Sequence, residues 1–429
     1  MVNPLLRAHL IGLRSDFYLL VLAAVYHADG LWGEATFDLC ASRAPADGGP
    51  IVVGGVEDAI DAARGLGFSA EDVGAMRGIG ALGGVSEAFW EQLRELRFSG
   101  EIVAMPEGTL TSPGAPILRV TAPLIEVTLL ETALLQAVSF GSAVATRAAR
   151  LVDAAQGRRV FDLSTPLHPS PDAAARAARA ALVGGVAGSG LTETAIAEAI
   201  PPMGTLSQGF YAAYGDLDAA LEAFRVYFPD VGYVSLPPGD MVEGVLALSK
   251  HRKNLRVVRL DHDDLNAPAR RLRGALNVAG MSNVLILGGG ELDEARIAKL
   301  VQQQAPVDLF AVDSALSQGL PSLGLSYRIA DMQRGFEPEA LRHPGAAADP
   351  GVKQTVRFAD HDLLCLESEV AANVRAGATP LARLVVSEGE RVLPREPVEV
   401  CAARRRAQQT ALGPGWALRR SAGLTALRA

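Results

Sequence analysis

The stretch Leu255–Gly280, "LRVVRLDHDDLNAPARRLRGALNVAG", decides how this chain is read. A β-branched apolar run ends in Arg259, Asp261, His262, Asp263 and Asp264, and a helical pattern follows at once. That order is one βα unit whose strand ends in charge. It recurs along the chain. The runs "RVFDLS" (159–164), "VGYVSL" (231–236), "NVLILGG" (283–289) and "VDLFAVDS" (307–314) alternate with helical patterns such as "PDAAARAARAALVGG", "LDAALEAFRVYF" and "DEARIAKLVQQQ". Buried β-branched runs joined through helices imply parallel pairing, and a series of them suits an α/β barrel or a doubly wound sheet. In both folds the carboxyl ends of the strands carry the site. The candidate positions are therefore Asp162 to His168, Ser235 to Asp240, Asp261 to Asp264, Gly288 to Glu291, and Asp313 with Ser314.

Outside this series the texture differs. Residues 15–30 read as a helix that Ser15 or Asp16 caps and Gly30 ends. "ATFDLCASRAP" alternates like a strand, and "GGVEDAIDAARGLGF" reads as a helix. "SAEDVGAMRGIG" and "SEAFWEQLRELRF" each open on a serine cap with an acidic residue close behind. "EIVAM" and "PILRVTA" read as strands around Pro-Gly turn chemistry, and the run from Leu124 to Gly157 as helix in two pieces. After 340 the periodicity weakens. Small strands at "LARLVVS" and "EPVEV" are expected there, with a basic tail whose "AARRRAQQ" (402–409) is a solvated helix face. The expected division is an α/β side domain over 1–137, joined by parts of 335–429, and a barrel over 138–334.

The chain has 429 residues, 49% of them hydrophobic and 21% charged, as in a soluble globular protein of two or three domains. A net charge of −8 offers no basic excess for nucleic acid. Cys40, Cys365 and Cys401 are widely spaced and form no CxxC pair, which fits a reducing compartment. The apolar run Phe17–Tyr26 falls short of the ~20 residues a membrane span needs and has no cleavage pattern behind it. A cytoplasmic protein with neither membrane nor nucleic acid as partner is expected.

Several long stretches resemble the nicotinate phosphoribosyltransferase family, from about Leu13 to Asp331. They are "SDFYLLVLAAVYHADG", "PEGTLTSPGAPILRVTAPLIEVTLLET", "SFGSAVATRAARLVDAAQGRRVFD" and "LDEARIAKLVQQQAPVDLF". The resemblance implies an irregular α/β barrel of the type II phosphoribosyltransferase kind beside an α/β side domain. It implies a homodimer in which both chains contribute to each site. The implied reaction moves the phosphoribosyl group of phosphoribosyl pyrophosphate to nicotinate with Mg2+, coupled in many members to ATP through a phosphorylated histidine.

This chain departs from the family pattern at several points. In "GTLSQGF", Gln208 stands where the family has that histidine, and a carboxamide does not form a phosphoryl intermediate. "STPLHPSPD" replaces an Arg-Arg pair, leaving Ser164, Thr165 and His168 there. Ala187 of "GGVAG" replaces an aspartate that faces the pyridine. The turn whose amides receive the ribose phosphate reads "AVDS", which sets the Asp313 carboxylate where a phosphate dianion belongs.

By resemblance, Arg259 and Asp261 carry the sugar–metal region, and Asp261 with Asp263 would hold Mg2+. Tyr18 stacks on the base, Arg43 reaches the neighbouring subunit's site, and Asp16, Thr205, Gln208, Gly289, Gly290, Asp313 and Ser314 line the substrate. Plainer readings stand beside these. Arg259 and Asp261 suit a strand-end ion pair, Asp16 an N-cap, Asp263 and Asp264 an acidic first helical turn, Tyr18 helix packing, and the glycine triplet a strained turn. Three functions remain open: phosphoribosyl transfer to nicotinate or a related base on a diverged site, a catalytically inactive ligand-binding or interaction homologue, and a transferase repurposed for another sugar or base.

Overall fold

The computed structural model describes residues 10–46, 48–229, 232–236, 240–253, 255–334, 337–341, 349–413 and 415–428. Residues 237–239 of the candidate stretch Ser235–Asp240, and parts of the expected 1–137 and 335–429 segments, lie outside them. The chain divides into two compact units, Met1–Thr146 with Pro321–Ala429, and Arg147–Leu320. The division thus falls later than residue 137 and earlier than 334. Its second limit has a direct cause: Leu325–Arg334 pairs antiparallel with Glu34–Ala41 and so belongs to the first unit's sheet.

In the first unit a seven-stranded antiparallel sheet runs in the order Glu337–Ala340, Leu325–Arg334, Glu34–Ala41, Pro116–Pro123, Glu101–Ala104, Arg383–Ser387, Glu390–Arg391. Both serine caps form. Ser69 and Asp72 make a reciprocal capping box, and the Ser86 hydroxyl accepts from Phe89 N. Helix Val56–Arg64 is capped from afar, because its N-cap is Gly55, which has no side chain. Glu107 Oε1 accepts from Val56 N at 2.9 Å and Glu57 N at 3.3 Å.

Three expectations fail here. Leu124–Ala154 is one helix of 31 residues, not two pieces. Gly141 does not break it; a Cβ there would lie 2.4 Å from Gly55 N, so the glycine serves close approach. This helix is long and apolar enough to cross a membrane, but 61% of its most apolar window is buried in the protein. "EPVEV" is not a strand, since Pro397 opens helix Val398–Ala411. Nor is 402–409 simply a solvated face: Arg405 is buried, and Arg404 pairs with Glu396 at 2.8 Å.

The second unit holds five parallel strands in the order Arg159–Asp162, Leu309–Val312, Leu285–Gly289, Val257–Asp261, Tyr233–Ser235. Two irregular segments complete the ring. Asp162 N donates to Gly188 O and Gly190 N to Asp162 O, both at 2.9 Å, and Met203 N donates to Ser189 O at 3.0 Å. Leu206 N then donates to Tyr233 O, and Ser235 N to Leu206 O, both at 3.3 Å. This is the irregular α/β barrel. Its interior is filled by Phe161, Met203, Val257, Leu287, Leu309 and Ala311, the last two from one strand, with Leu163 and Tyr233 packed against them.

Candidate active site

Strand side chains alternate with period two. With Val257 and Leu287 in the barrel core, the same parity turns Arg259, Asp261 and Gly289 inward at the carboxyl end. There Arg259 Nε donates to Asp261 Oδ1 at 2.9 Å. Gly289 is the register partner of Asp261 on the neighbouring strand. The rest of the opening stretch has local work. His262 Nδ1 accepts from Asp264 N at 3.0 Å and Asp264 Oδ1 accepts from Asn266 N at 3.3 Å, which shapes the turn into helix Asn266–Val278. Asp263 is exposed.

At the next strand end Asp313 Oδ1 accepts from Ser314 N, and the Ser314 hydroxyl donates to Glu291 Oε2, each at 2.7 Å. Both donors of Ser314, its amide and its hydroxyl, are thus taken by the chain's own carboxylates. At the end of Arg159–Asp162 the buried Asp162 carboxylate accepts from Ser164 N at 2.8 Å, Ser164 Oγ at 2.6 Å and Ser189 Oγ at 2.9 Å. Because the Ser164 proton goes to Asp162, its oxygen accepts from His168 Nε2, 2.9 Å away. Burial holds the His168 pKa below its usual value, with Asp162 opposing that shift. Ser189 was missed from sequence; its only local signal is the "GSG" turn of 188–190.

Thr205 Oγ1 accepts from Ser235 Oγ at 3.2 Å, and the Tyr211 hydroxyl, its pKa pushed up to about 12 by burial, donates to Ser235 O at 2.9 Å. Gln208 is the exposed first residue of helix Gln208–Tyr214. Gly290, at φ +103, makes the turn after its strand.

Three candidates belong to the other unit. Asp16 is an N-cap: its Oδ1 accepts from Tyr18 N at 2.9 Å. Tyr18 is 71% exposed and meets Phe17 edge-on. Arg43 is exposed beside Gly324. Among the described residues no group of three or more His, Cys, Asp or Glu is gathered to hold a metal ion.

The acid–arginine pair at the carboxyl ends of the parallel strands marks the candidate site, and comparison with solved structures defines the fold around it. Human nicotinic acid phosphoribosyltransferase shares the fold, with a TM-score of 0.83 at 24% identity over 96% of this chain and 99% of that one. Residues 13–139 match the model of the nicotinate phosphoribosyltransferase N-terminal domain. A Mycobacterium tuberculosis nicotinate phosphoribosyltransferase is 31% identical over 395 residues, covering 90% of this chain and 84% of the relative. The Bacillus subtilis nicotinate phosphoribosyltransferase is 30% identical over 81% of this chain and 73% of its own length. The chain belongs to the nicotinate phosphoribosyltransferase family.

Proposed function

We propose that the barrel mouth transfers a phosphoribosyl group from phosphoribosyl pyrophosphate to nicotinate or a related base, a step of NAD biosynthesis. The observation that carries this reading is the inward-facing Arg259–Asp261 pair, closed at 2.9 Å, at the carboxyl end of a central barrel strand. When pyrophosphate leaves C1 of the ribose, positive charge develops on the sugar and negative charge on the leaving group. Arg259 answers the second, and Asp261 the first or a ribose hydroxyl. The pyridine nitrogen attacks with its own lone pair, so no general base is required.

Mg2+, when bound, would supply charge neutralisation on the leaving pyrophosphate. It is commonly held by one or two carboxylates plus substrate phosphates and water rather than by a protein cage. In that mode Asp261 and then Asp263 would be the protein ligands. Gln208 accepts no phosphoryl group, so ATP does not drive the reaction. The exposed Tyr18, Leu22 and Val25, at i, i+4 and i+7 of helix Phe17–Ala28, face a second copy in a cytoplasmic homodimer.

A second reading is favoured by Asp313, whose carboxylate takes the Ser314 amide and opposes a phosphate there. On that reading the chain is a non-catalytic relative that binds a ligand or partner. Calorimetry with phosphoribosyl pyrophosphate and magnesium separates the two. The first predicts saturable heat that Asp261→Ala abolishes; no heat above dilution from folded wild-type protein supports the second.

A further inference from the structure

The glycines of the triplet 288–290 are required for three different reasons. A Cβ on Gly288 would lie 2.8 Å from Val307 Cγ1 and 3.0 Å from Leu265 Cδ1, so this residue is small for packing. Gly290 sits at φ +103, where other residues are strained. Gly289 has neither reason: it is absent from the positive-φ glycines, and no apolar side chain is among the atoms nearest its missing Cβ. That Cβ would fall 2.1 Å from Asp261 Oδ1, 3.0 Å from Arg259 Nε and 3.2 Å from Arg259 Nη2. The space above Gly289 is filled by the ion pair itself.

We propose that Gly289 is a positioning residue, its bare Cα the seat on which the Arg259–Asp261 pair lies. The register supports this, because Asp261 and Gly289 are direct partners on adjacent parallel strands. By parity both point into the same layer of the barrel mouth. A methyl group at 289 would have to displace the carboxylate, which is the nearest atom and the shorter, stiffer side chain. Arg259, reaching 289 with its guanidinium, would follow or lose its partner. The backbone of strand Leu285–Gly289 therefore selects the conformation of both side chains, without a hydrogen bond to either. The catalytic consequence rests on the function proposed above; the steric claim does not.

The experiment takes Gly289→Ala, Gly288→Ala, Asp261→Ala and the double variant Asp261→Ala/Gly289→Ala in the full-length chain. Crystal structures are expected to show the Arg259–Asp261 contact broken in Gly289→Ala and kept in Gly288→Ala. Thermal melting is expected to show a small loss of Tm for Gly289→Ala in the wild-type background and a smaller one in Asp261→Ala, since the displaced carboxylate is the half-exposed end of a side chain. If Gly289→Ala does not fold, recovery of a folded protein in the double variant supports the proposal, and failure of the double variant overturns it. A pair that stays closed in Gly289→Ala, or an equal loss of Tm in both backgrounds, also overturns it. In turnover, Gly289→Ala is expected to lower kcat/KM for phosphoribosyl pyrophosphate on the order of tenfold to a hundredfold, as sub-ångström to ångström misplacement does. Wild-type protein that neither binds nor turns over that donor would sink the proposed function, while the structural and melting arms would still decide the role of Gly289.

Discussion

Glu126 shows how burial and hydrogen bonding compete at one residue. Ser99 donates to it twice, from N at 2.7 Å and Oγ at 2.8 Å, which favours the carboxylate. Burial is the larger effect and raises the pKa above its usual value. The stability this group contributes is complete below its unfolded pKa and lost as pH rises through the folded one. Glu126→Gln removes the titration. The melting temperature of the variant relative to wild type should therefore climb from mildly acidic to neutral pH; a flat difference would refute the assignment. Gly108 makes a second case. At φ +81, with a would-be Cβ 2.1 Å from Cys401 O, Gly108→Ala should cost at least about 2 kcal/mol in chemical denaturation. Its turn was legible in "PEGTL"; the reason for glycine was not, because the crowding carbonyl belongs to a helix far along the chain.

Elements announced by local signals form as expected. Ser69 and Ser86 cap their helices, and Ser69→Ala should cost about 1 kcal/mol by denaturant melting, with an unchanged midpoint counting against the capping box. The βα series was equally plain, since β-branched runs and helical periods are local. Elements decided by tertiary contact were misread. Gly141 looks like a break, yet the helix runs through it because the 54–55 backbone packs on that bare Cα. "EPVEV" alternates like a strand, but the proline opens a helix whose Arg405 is buried. Charge pattern alone does not tell a buried arginine from a solvated one. At the barrel mouth the strand ends were legible, and so was the likeness at Arg259 and Asp261. The Asp162–Ser164–Ser189 knot was not, because it joins a strand to an irregular segment that only barrel closure brings beside it.

For the whole molecule, family membership and fold follow from long matched stretches, whereas the chemistry rests on a few substituted positions. The homodimer reading predicts that Leu22→Asp, on the exposed face of helix Phe17–Ala28, halves the mass measured by light scattering while the fold persists. An unchanged mass would remove that face from any interface. The most direct test of the central claim is pyrophosphate release from phosphoribosyl pyrophosphate with magnesium, across nicotinate and related pyridine bases. The account predicts base-dependent release by wild-type protein that ATP does not stimulate and Asp261→Ala abolishes. Folded wild-type protein that releases no pyrophosphate with any of these bases would contradict it.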